Sequence, residues 1–294
     1  MRLTFLFLSL FLSTAICQSQ PDSLRRKIER ILFAKKADVG VSILGLEDSD
    51  TLTVRGSRHY PMQSVYKFHL ALAILHQVDK GALSLSQKIF IKKRDLLPDT
   101  HSPLRDDYPQ GNINMSLEEI LRYTVSKSDN NGCDILFKLL GGTSTVNKYI
   151  QSLGVKDVSI AATEEEMHKE WNVQFTNWTT PRAATQLAAL YYNQNILTKE
   201  SKDLLFKIMV ETPTGPNRIK GLLPANTIVA HKTGTSDTNE EGVTAVIDDL
   251  GIIILPNGKH IILMVMVCNT TENKETNERI IAEISKATYD YFTN

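Results

Sequence analysis

A serine and a lysine lie three residues apart in Ser64-Val65-Tyr66-Lys67, at the start of a long apolar run. Residues three apart share one face of a helix, so the Lys67 amine can reach the Ser64 hydroxyl. A serine hydroxyl is a weak nucleophile, and a neutral amine beside it can take its proton. Backbone N–H groups at a helix start can also stabilise an oxyanion. The spacing predicts a serine nucleophile, although alone it would also fit a capped, solvated helix start.

A second polar motif, Ser128-Asp129-Asn130, lies in a break between two apolar segments that are predicted to be helices. The Ser128 hydroxyl could pass a proton to a leaving nitrogen. The Asn130 amide could form hydrogen bonds with a substrate amide. Taken alone, the same three residues would fit an ordinary turn between helices.

A third motif, Lys232-Thr233-Gly234, ends a predicted edge strand and is followed by Thr235 and Ser236. A cation and hydroxyls at a strand edge suit a substrate that carries a carboxylate. The glycine would let a ligand approach the backbone closely. Taken alone, this motif would also fit a surface strand with a solvated lysine.

The order of predicted elements indicates the fold class. Helices are predicted from residue 24, over 65–80, from 116, over 133–140, over 181–192, within 204–210 and at the C-terminus; strands are predicted over 39–46, 51–54, 228–231, 242–247, 251–255 and 260–267. The simplest packing is an α+β fold, in which one antiparallel sheet is flanked by the terminal helices. We expect residues 22–62 and 215–294 to form this α/β domain. Residues 63–214 would then be an inserted all-α domain, with a ligand pocket at the junction.

Taken together, the three motifs resemble those of class A β-lactamases and penicillin-binding proteins. The resemblance covers nearly the whole mature chain. It implies a β-lactam hydrolase that acts through a serine acyl-enzyme without a cofactor or metal. It also implies that backbone N–H groups of Ser64 and Thr235 form the oxyanion hole. The Ser64 proton would be taken by Lys67 or, through water, by Glu164, and Ser128 would protonate the ring nitrogen.

Release of the acyl-enzyme requires a second base, and this separates a hydrolase from a penicillin-binding protein. In class A enzymes the deacylating glutamate lies 36 residues after the serine of the second motif, which here is Glu164. Glu165 and Glu166 are competing candidates. The family usually has asparagine four residues after this glutamate, where this chain has His168. An imidazole could hold the same water by a hydrogen bond.

Substrate binding is the other role that the resemblance assigns. The residues concerned are Asn130, His168, Arg218, Lys232, Thr233, Gly234, Thr235, Ser236 and His101. Arg218 would anchor the substrate carboxylate, and the alternative is a surface arginine paired with an acid. His101 lies where relatives place an aromatic residue at the pocket mouth. Gln63 and His168 resemble the extended-spectrum, cephalosporin-preferring branch.

Other functions are weighed against this prediction. A DD-peptidase or an acylated sensor would share the nucleophile, but a sensor would normally need a membrane-spanning partner in the chain. An exported binding protein would not need serine, lysine and glutamate together. No His-Glu-x-x-His or clustered Cys/His pattern is present, which disfavours a zinc enzyme. The chain has 33 basic and 33 acidic residues, so its zero net charge disfavours nucleic-acid binding. We expect a monomer.

The N-terminus predicts export. Arg2 precedes an apolar run from Leu3 to Ile16, which is too short to span a membrane and fits a signal peptide over residues 1–19. Cys17 could be a lipidation site, but Ile16 before it is a poor fit, so ordinary cleavage is favoured. The mature bacterial protein would be periplasmic or secreted. The two remaining cysteines lie in apolar runs and are expected to be buried thiols rather than a disulfide.

Overall fold

The computed structural model describes residues 20–193 and 196–293, so the predicted signal segment and Cys17 lie outside the described residues. The helices are α1 (Gln20–Leu32), α2 (Tyr66–Asp79), α3 (Pro103–Asp107), α4 (Leu117–Val125), α5 (Asn130–Leu139), α6 (Thr143–Ser152), α7 (Glu164–Lys169), α8 (Pro181–Asn193), α9 (Lys199–Val210) and α10 (Lys274–Thr293). The strands are β1 (Asp38–Gly45), β2 (Thr51–Val54), β3 (Tyr60–Pro61), β4 (Lys88–Ile91), β5 (Ile113–Ser116), β6 (Val158–Ser159), β7 (Trp178–Thr179), β8 (Ile228–Thr235), β9 (Thr244–Ile254) and β10 (His260–Thr270). Short 3-10 turns cover Gln63–Val65, Lys93–Asp95 and Trp171–Thr176.

The main sheet joins strands from both ends of the described chain. Its order is β2-β1-β10-β9-β8, and every neighbouring pair is antiparallel. Helices α1 and α10 pack against each other on one side of this sheet. The predicted α+β fold, with an antiparallel sheet flanked by the terminal helices, is therefore confirmed. Strand β8 is an edge strand, as predicted.

The sheet separates two hydrophobic cores because successive side chains of a strand point to opposite faces. On β10, Ile261 and Leu263 pack with the terminal helices, whereas Ile262 and Met264 pack with the helical region between residues 66 and 210. All these side chains are fully buried. Both faces of the central strand are thus covered, and its sequence is accordingly apolar at almost every position.

Helix α2 runs through the centre of the larger core. All ten residues from Tyr66 to Leu75 are buried, including Lys67 and His69. A helix that is apolar on nearly all sides is stable only when it is surrounded by other elements. This burial holds the N-terminal end of α2, beside which Ser64 and Lys67 lie, in a fixed position.

Two local predictions from the sequence are confirmed. The Ser116 hydroxyl accepts a hydrogen bond from Glu119 N, and the Glu119 carboxylate accepts one from Ser116 N, which completes a capping box. Cys133 and Cys268 are buried and are not joined in a disulfide.

The predicted strands at 242–247 and 251–255 are wrong, because one continuous strand, β9, occupies this region. The predicted break between the two strands falls at residues 248–250, which include the acidic pair Asp248-Asp249. Both side chains are instead fully buried within the sheet. The Asp249 carboxylate lies 3.0 Å from His231 Nδ1, which supplies a partner for one of the two charges. Strand β8 also extends beyond the predicted residue 231, through Thr235.

The region predicted to be all-α contains short strands as well. β4 pairs with β5, and β7 pairs with β6 and also with β3, which lies just before this region. These strands span only two to four residues. No helix in the described ranges is long and apolar enough to cross a membrane.

The burial of β10 leads to a stability prediction. Leu263 is fully buried, and replacing it with alanine should lower the free energy of unfolding by about 3 kcal/mol, because a cavity remains. The matched control is Leu222→Ala, since Leu222 is 45% exposed, and it should cost no more than about 1 kcal/mol. Urea unfolding followed by circular dichroism measures both. Equal losses would contradict this account of the core.

Candidate active site

Ser64 lies in the 3-10 turn that leads into α2. The preceding residue, Gln63, has a φ of 42°, a left-handed conformation that is uncommon for residues other than glycine. The Gln63 side-chain amide donates to Gln174 Oε1 at 2.6 Å, which ties this turn to the loop carrying residues 171–176. Backbone strain held by surrounding contacts is a common feature of functional sites. Here it turns the half-buried Ser64 toward the cavity.

The Lys67 ammonium joins the predicted catalytic residues. Its side chain is fully buried, and Nζ donates to Ser64 Oγ at 2.9 Å, to the Ser128 carbonyl at 2.8 Å and to Asn130 Oδ1 at 2.5 Å. Lys67 Nζ also lies 2.9 Å from Glu164 Oε1. The structure thus brings together the first motif, the second motif and the predicted base. The Lys67 amine therefore lies between the Ser64 hydroxyl and the Glu164 carboxylate.

The second motif is held in place by its central aspartate. The buried Asp129 carboxylate accepts hydrogen bonds from Ser102 Oγ, Leu104 N and Gly132 N. Asp129 therefore links the start of α3 to the first turn of α5. This leaves Ser128, whose φ is 61°, with its hydroxyl directed to the site.

Lys232 connects the second motif with the third. Its Nζ donates to Ser128 Oγ at 2.9 Å and to the Thr233 carbonyl at 2.9 Å. Burial, and then the nearby Lys67 charge, lower the pKa of Lys232 to about 7. Two lysines in one buried site repel each other, so an arriving anion is favoured there.

The outer edge of β8 faces the cavity. Ser236 N donates to the Val246 carbonyl of the neighbouring strand. Because hydrogen bonds alternate along an antiparallel pair, the Thr235 N–H points away from β9 and toward the site. The Thr233 hydroxyl lies 2.6 Å from Thr214 Oγ1, which fixes its position.

The structure shows a packing requirement for glycine at position 234, in addition to the predicted close approach of a ligand. A side chain at this position would overlap Asp248 Oδ1 and would lie 2.7 Å from the Met62 carbonyl. The glycine therefore lets β8 pack against the turn that carries Ser64. Burial raises the pKa of Asp248 well above its usual range.

Arg218 is not a surface arginine, because its side chain is buried, and it lines the cavity. Nη1 donates to the carbonyls of Gly234 and Asp248, and Nη2 donates to Thr235 Oγ1 at 2.7 Å. Nε lies 3.4 Å from Glu278 Oε1. These four contacts leave one N–H for a ligand. Since Arg218 donates to Thr235 Oγ1, the hydroxyl proton of Thr235 is turned toward other acceptors.

Glu164 begins helix α7 and is almost completely buried. Its backbone N–H donates to Asp134 Oδ1 at 2.8 Å, and Glu165 N donates to Asp134 Oδ2 at 2.9 Å. Glu165 and Glu166 are exposed, and they bind Lys169 and Thr163 respectively. Of the three candidate glutamates, only Glu164 contacts Lys67.

The site opens into a cavity of about 940 Å³. The sequence-predicted residues that line it are Ser64, His101, Ser128, Asn130, Glu164, His168, Arg218, Thr233, Thr235 and Ser236. Lys67 and Lys232 lie buried behind this lining. His168 is exposed, and His101 Nε2 lies 2.9 Å from the Lys127 carbonyl. Ser236 Oγ accepts from Val246 N and therefore also supports the strand end.

Sequence reasoning missed Asp134 and Thr214. Asp134 lies four residues after Asn130, so the two share a face of α5. An acid inside the apolar run 133–137 was the available signal. The position of Thr214 opposite Thr233 had no comparable signal, because the two segments meet only in the fold.

The chain matches known proteins over nearly its whole length. Residues 23–292 match the model described as the Beta-lactamase enzyme family. Beta-lactamase VEB-1 of Pseudomonas aeruginosa is 49% identical, over 100% of this chain and 98% of the relative. Extended-spectrum beta-lactamase PER-1 of the same species is 42% identical, over 93% of this chain and 88% of the relative.

Solved structures agree with these matches. The structure of TLA-1 extended spectrum Beta-lactamase is 57% identical, with a TM-score of 0.92, and covers 94% of this chain and 100% of that one. A representative class A beta-lactamase from Bacteroides cellulosilyticus is 42% identical, with a TM-score of 0.90, over 94% and 99% of the two chains. The geometry of the three motifs and these likenesses agree, and the chain therefore belongs to the β-lactamase enzyme family, as a member of class A.

Proposed function

We propose that this class A β-lactamase opens the β-lactam ring through an acyl-enzyme on Ser64 and frees the enzyme by hydrolysis directed by Glu164. The observation that carries this proposal is the position of Lys67, which contacts both the Ser64 hydroxyl and the Glu164 carboxylate. The proposed nucleophile thereby lies beside Lys67, and Lys67 forms an ion pair with the Glu164 carboxylate.

In the acylation step, Lys67 first passes a proton to the neighbouring Glu164 carboxylate, and the neutral amine then takes the proton of Ser64 Oγ as this oxygen attacks the lactam carbonyl. Alternatively, Glu164 takes the Ser64 proton through a water. The direct 2.9 Å contact between Lys67 and Ser64 supports the first route. The backbone N–H groups of Ser64 and Thr235 stabilise the oxyanion that forms. Ser128 then protonates the ring nitrogen, which becomes the leaving group. Its hydroxyl is close enough to Lys232 to be resupplied with a proton.

The carboxylate of the substrate binds at the edge of β8. Lys232, which is buried behind the cavity lining, supplies positive charge, and the hydroxyls of Thr233 and Thr235 donate hydrogen bonds to the carboxylate. Arg218 acts mainly through Thr235, because it fixes that hydroxyl as an acceptor and so directs its proton outward. Gly234 and Ser236 position this edge.

In the deacylation step, Glu164 takes a proton from the water that attacks the ester. Asp134 positions Glu164, since it holds the first two N–H groups of α7. His168 lies one turn after Glu164 on α7 and lines the same cavity. We propose that its imidazole forms a second hydrogen bond with this water.

The proposal also covers the preferred substrate, the location of the enzyme and its domain organisation. The extended-spectrum names of PER-1 and TLA-1, together with Gln63 and His168, support a preference for cephalosporins. The apolar N-terminal segment supports a signal peptide over residues 1–19 and a periplasmic or secreted enzyme. We also propose that the mature enzyme is a monomer. The two cores support an α/β domain of residues 22–62 and 215–294 and an inserted helical domain of residues 63–214.

We expect the purified protein to hydrolyse a chromogenic cephalosporin over many turnovers. Glu164→Gln should accumulate a covalent adduct on Ser64, because a water held without a base attacks the ester slowly. Intact-mass spectrometry detects this adduct, and Ser64→Ala should show none. Glu165→Gln is the matched control, since Glu165 is exposed, and it should turn over normally.

A single stoichiometric burst from the unmodified protein would instead favour a penicillin-binding protein or a sensor. Full activity of Ser64→Ala would overturn the assignment of the nucleophile.

The stability of the protein should depend on pH through Asp134. Burial, followed by the nearby Glu164 charge, raises the pKa of Asp134 to about 7 from 3.8. A carboxyl whose pKa is raised by folding stabilises the native state below its unfolded pKa, and this contribution is lost as the pH rises through 7. Relative to Asp134→Asn, the wild-type free energy of unfolding should fall by about 2 kcal/mol between pH 5 and pH 8.

Urea unfolding at both pH values measures this difference. Leu222→Ala, which changes no titratable group, should follow the wild-type pH dependence. A constant difference between wild type and Asp134→Asn across this range would contradict the assignment.

A further inference from the structure

Helix α1 buries one face and exposes the other. Leu24 and Ile28 are buried in the core that the terminal helices form with the sheet. Arg26, Arg30 and Phe33 are separated by four and three residues, so they follow one another along the outer face. Phe33 comes directly after the last residue of α1, and its N–H donates to the Arg30 carbonyl at 3.3 Å, which continues the helical turn.

The Phe33 side chain is left open to solvent by the fold. It is 82% exposed, whereas Phe90, the next most exposed of the large apolar side chains in the described ranges, is 51% exposed. Apolar surface gains free energy only when another surface removes it from water. A single exposed phenylalanine needs no explanation by itself, so the role of Phe33 depends on the residues around it.

The residues around Phe33 are basic. Six basic and two acidic residues occur between positions 22 and 36, although the whole chain has zero net charge. We use the name α1 patch for Phe33 together with four neighbouring cations, namely Arg26, Arg30, Lys35 and Lys36. All four cations are at least partly exposed. None of them forms an ion pair with a carboxylate within residues 20–193 and 196–293.

Cations on several other helices are paired instead. They bind carboxylates one helical turn away, as in Lys169–Glu165, Lys199–Asp203 and Arg279–Glu283. At the margin of the α1 patch, the Glu272 carboxylate accepts the backbone N–H of Lys36 rather than its ammonium. The positive charge of the α1 patch is therefore not neutralised by ion pairs within the described part of the chain.

An exposed phenylalanine among unpaired cations is complementary to the surface of an anionic phospholipid bilayer. Each Lys or Arg near such a surface strengthens binding by about fivefold, because the head groups carry negative charge. An aromatic side chain can enter the boundary between the head groups and the acyl chains. A dissolved polyanion would bind the cations but would leave Phe33 in water. The combination therefore favours a membrane over a nucleic acid or a polysaccharide.

The position of the α1 patch agrees with docking that leaves the active site unused. Helix α1 packs with α10 on one side of the main sheet. No residue of the α1 patch lines the cavity that contains Ser64. The predicted signal segment of residues 1–19 directly precedes α1, so α1 is the first part of the mature chain to meet the membrane surface during export.

We propose that the α1 patch is a docking surface for a bilayer that contains anionic phospholipids, with Phe33 inserted below the head groups and the four cations bound to them. Such docking is weak and reversible, because one side chain and a few charges do not anchor a protein permanently. It keeps part of the exported protein at the membrane. This inference goes beyond the proposed hydrolysis of β-lactams and does not depend on it.

Co-sedimentation of the mature protein with lipid vesicles measures this docking. We expect binding to vesicles of equal parts phosphatidylglycerol and phosphatidylcholine, and binding at least about tenfold weaker to vesicles of phosphatidylcholine alone. Raising the salt concentration to about 1 M should weaken binding to the anionic vesicles, because salt screens exposed charges.

Two substitutions test the two parts of the α1 patch separately. Arg30→Glu changes the charge by two and should weaken binding to the anionic vesicles about 25-fold, at about fivefold for each charge. Lys148→Glu is its matched control on α6, since Lys148 is also exposed, and it should change binding less than about twofold. Phe33→Ser should weaken binding about tenfold, because apolar surface no longer enters the bilayer. Phe90→Ser is the control for this loss, with less than about twofold change expected.

Absence of binding by the unmodified protein to the anionic vesicles would overturn the proposal. Equal losses for a patch variant and its control would overturn it too, because binding would then follow net charge or general apolarity. Binding that Phe33→Ser leaves unchanged, together with tight binding to heparin, would mean that the partner is a dissolved polyanion and not a membrane. If Arg30→Glu does not fold, as judged by its thermal melt, Arg26→Glu takes its place with the same expectation.

Discussion

The burial of one charged amine, that of Lys67, is the constraint on which the site depends. An ammonium group without exposure to water is stable only if nearby acceptors replace its hydration. Its four neighbours come from the turn before α2, the motif before α5 and the start of α7. Because removal of any neighbour leaves a buried charge less well compensated, the three segments are held in one arrangement. The same arrangement places a nucleophile beside a carboxylate.

The carboxylates near this amine form a second requirement. Glu164 lies beside Lys67, and Asp134 lies behind Glu164, where it holds the start of α7 by two backbone hydrogen bonds. Burial raises the pKa of Asp134, and the neighbouring Glu164 charge raises it further. The proximity of these two carboxyl groups is therefore electrostatically unfavourable for the folded protein. Such a cost is common where groups are organised for chemistry rather than for stability.

Strand β8 supplies the opposite wall, and buried polar groups behind it set its shape. Arg218 donates to two carbonyls of the β8–β9 pair and to the Thr235 hydroxyl. Gly234 leaves room for the Asp248 carboxyl, and His231 lies against Asp249 on the other face of the sheet. The edge of β8 that lines the cavity therefore has hydroxyl groups whose orientation is set by buried residues behind the strand. Pre-organised donors of this kind need little rearrangement during a reaction.

The sequence by itself determined the three motifs, their order, the helix start at Ser64 and the α+β arrangement, because these follow from spacing and local periodicity. Only the tertiary structure decided which distant groups meet. Asp134 and Glu164 are 30 residues apart, as are Thr100 and Asn130, and no local pattern relates the members of either pair. The sequence likewise did not reveal that β9 is continuous through Asp248, because acidic residues ordinarily indicate a turn. The role of a polar side chain inside an apolar run can be assigned only when its partner in the tertiary structure is known.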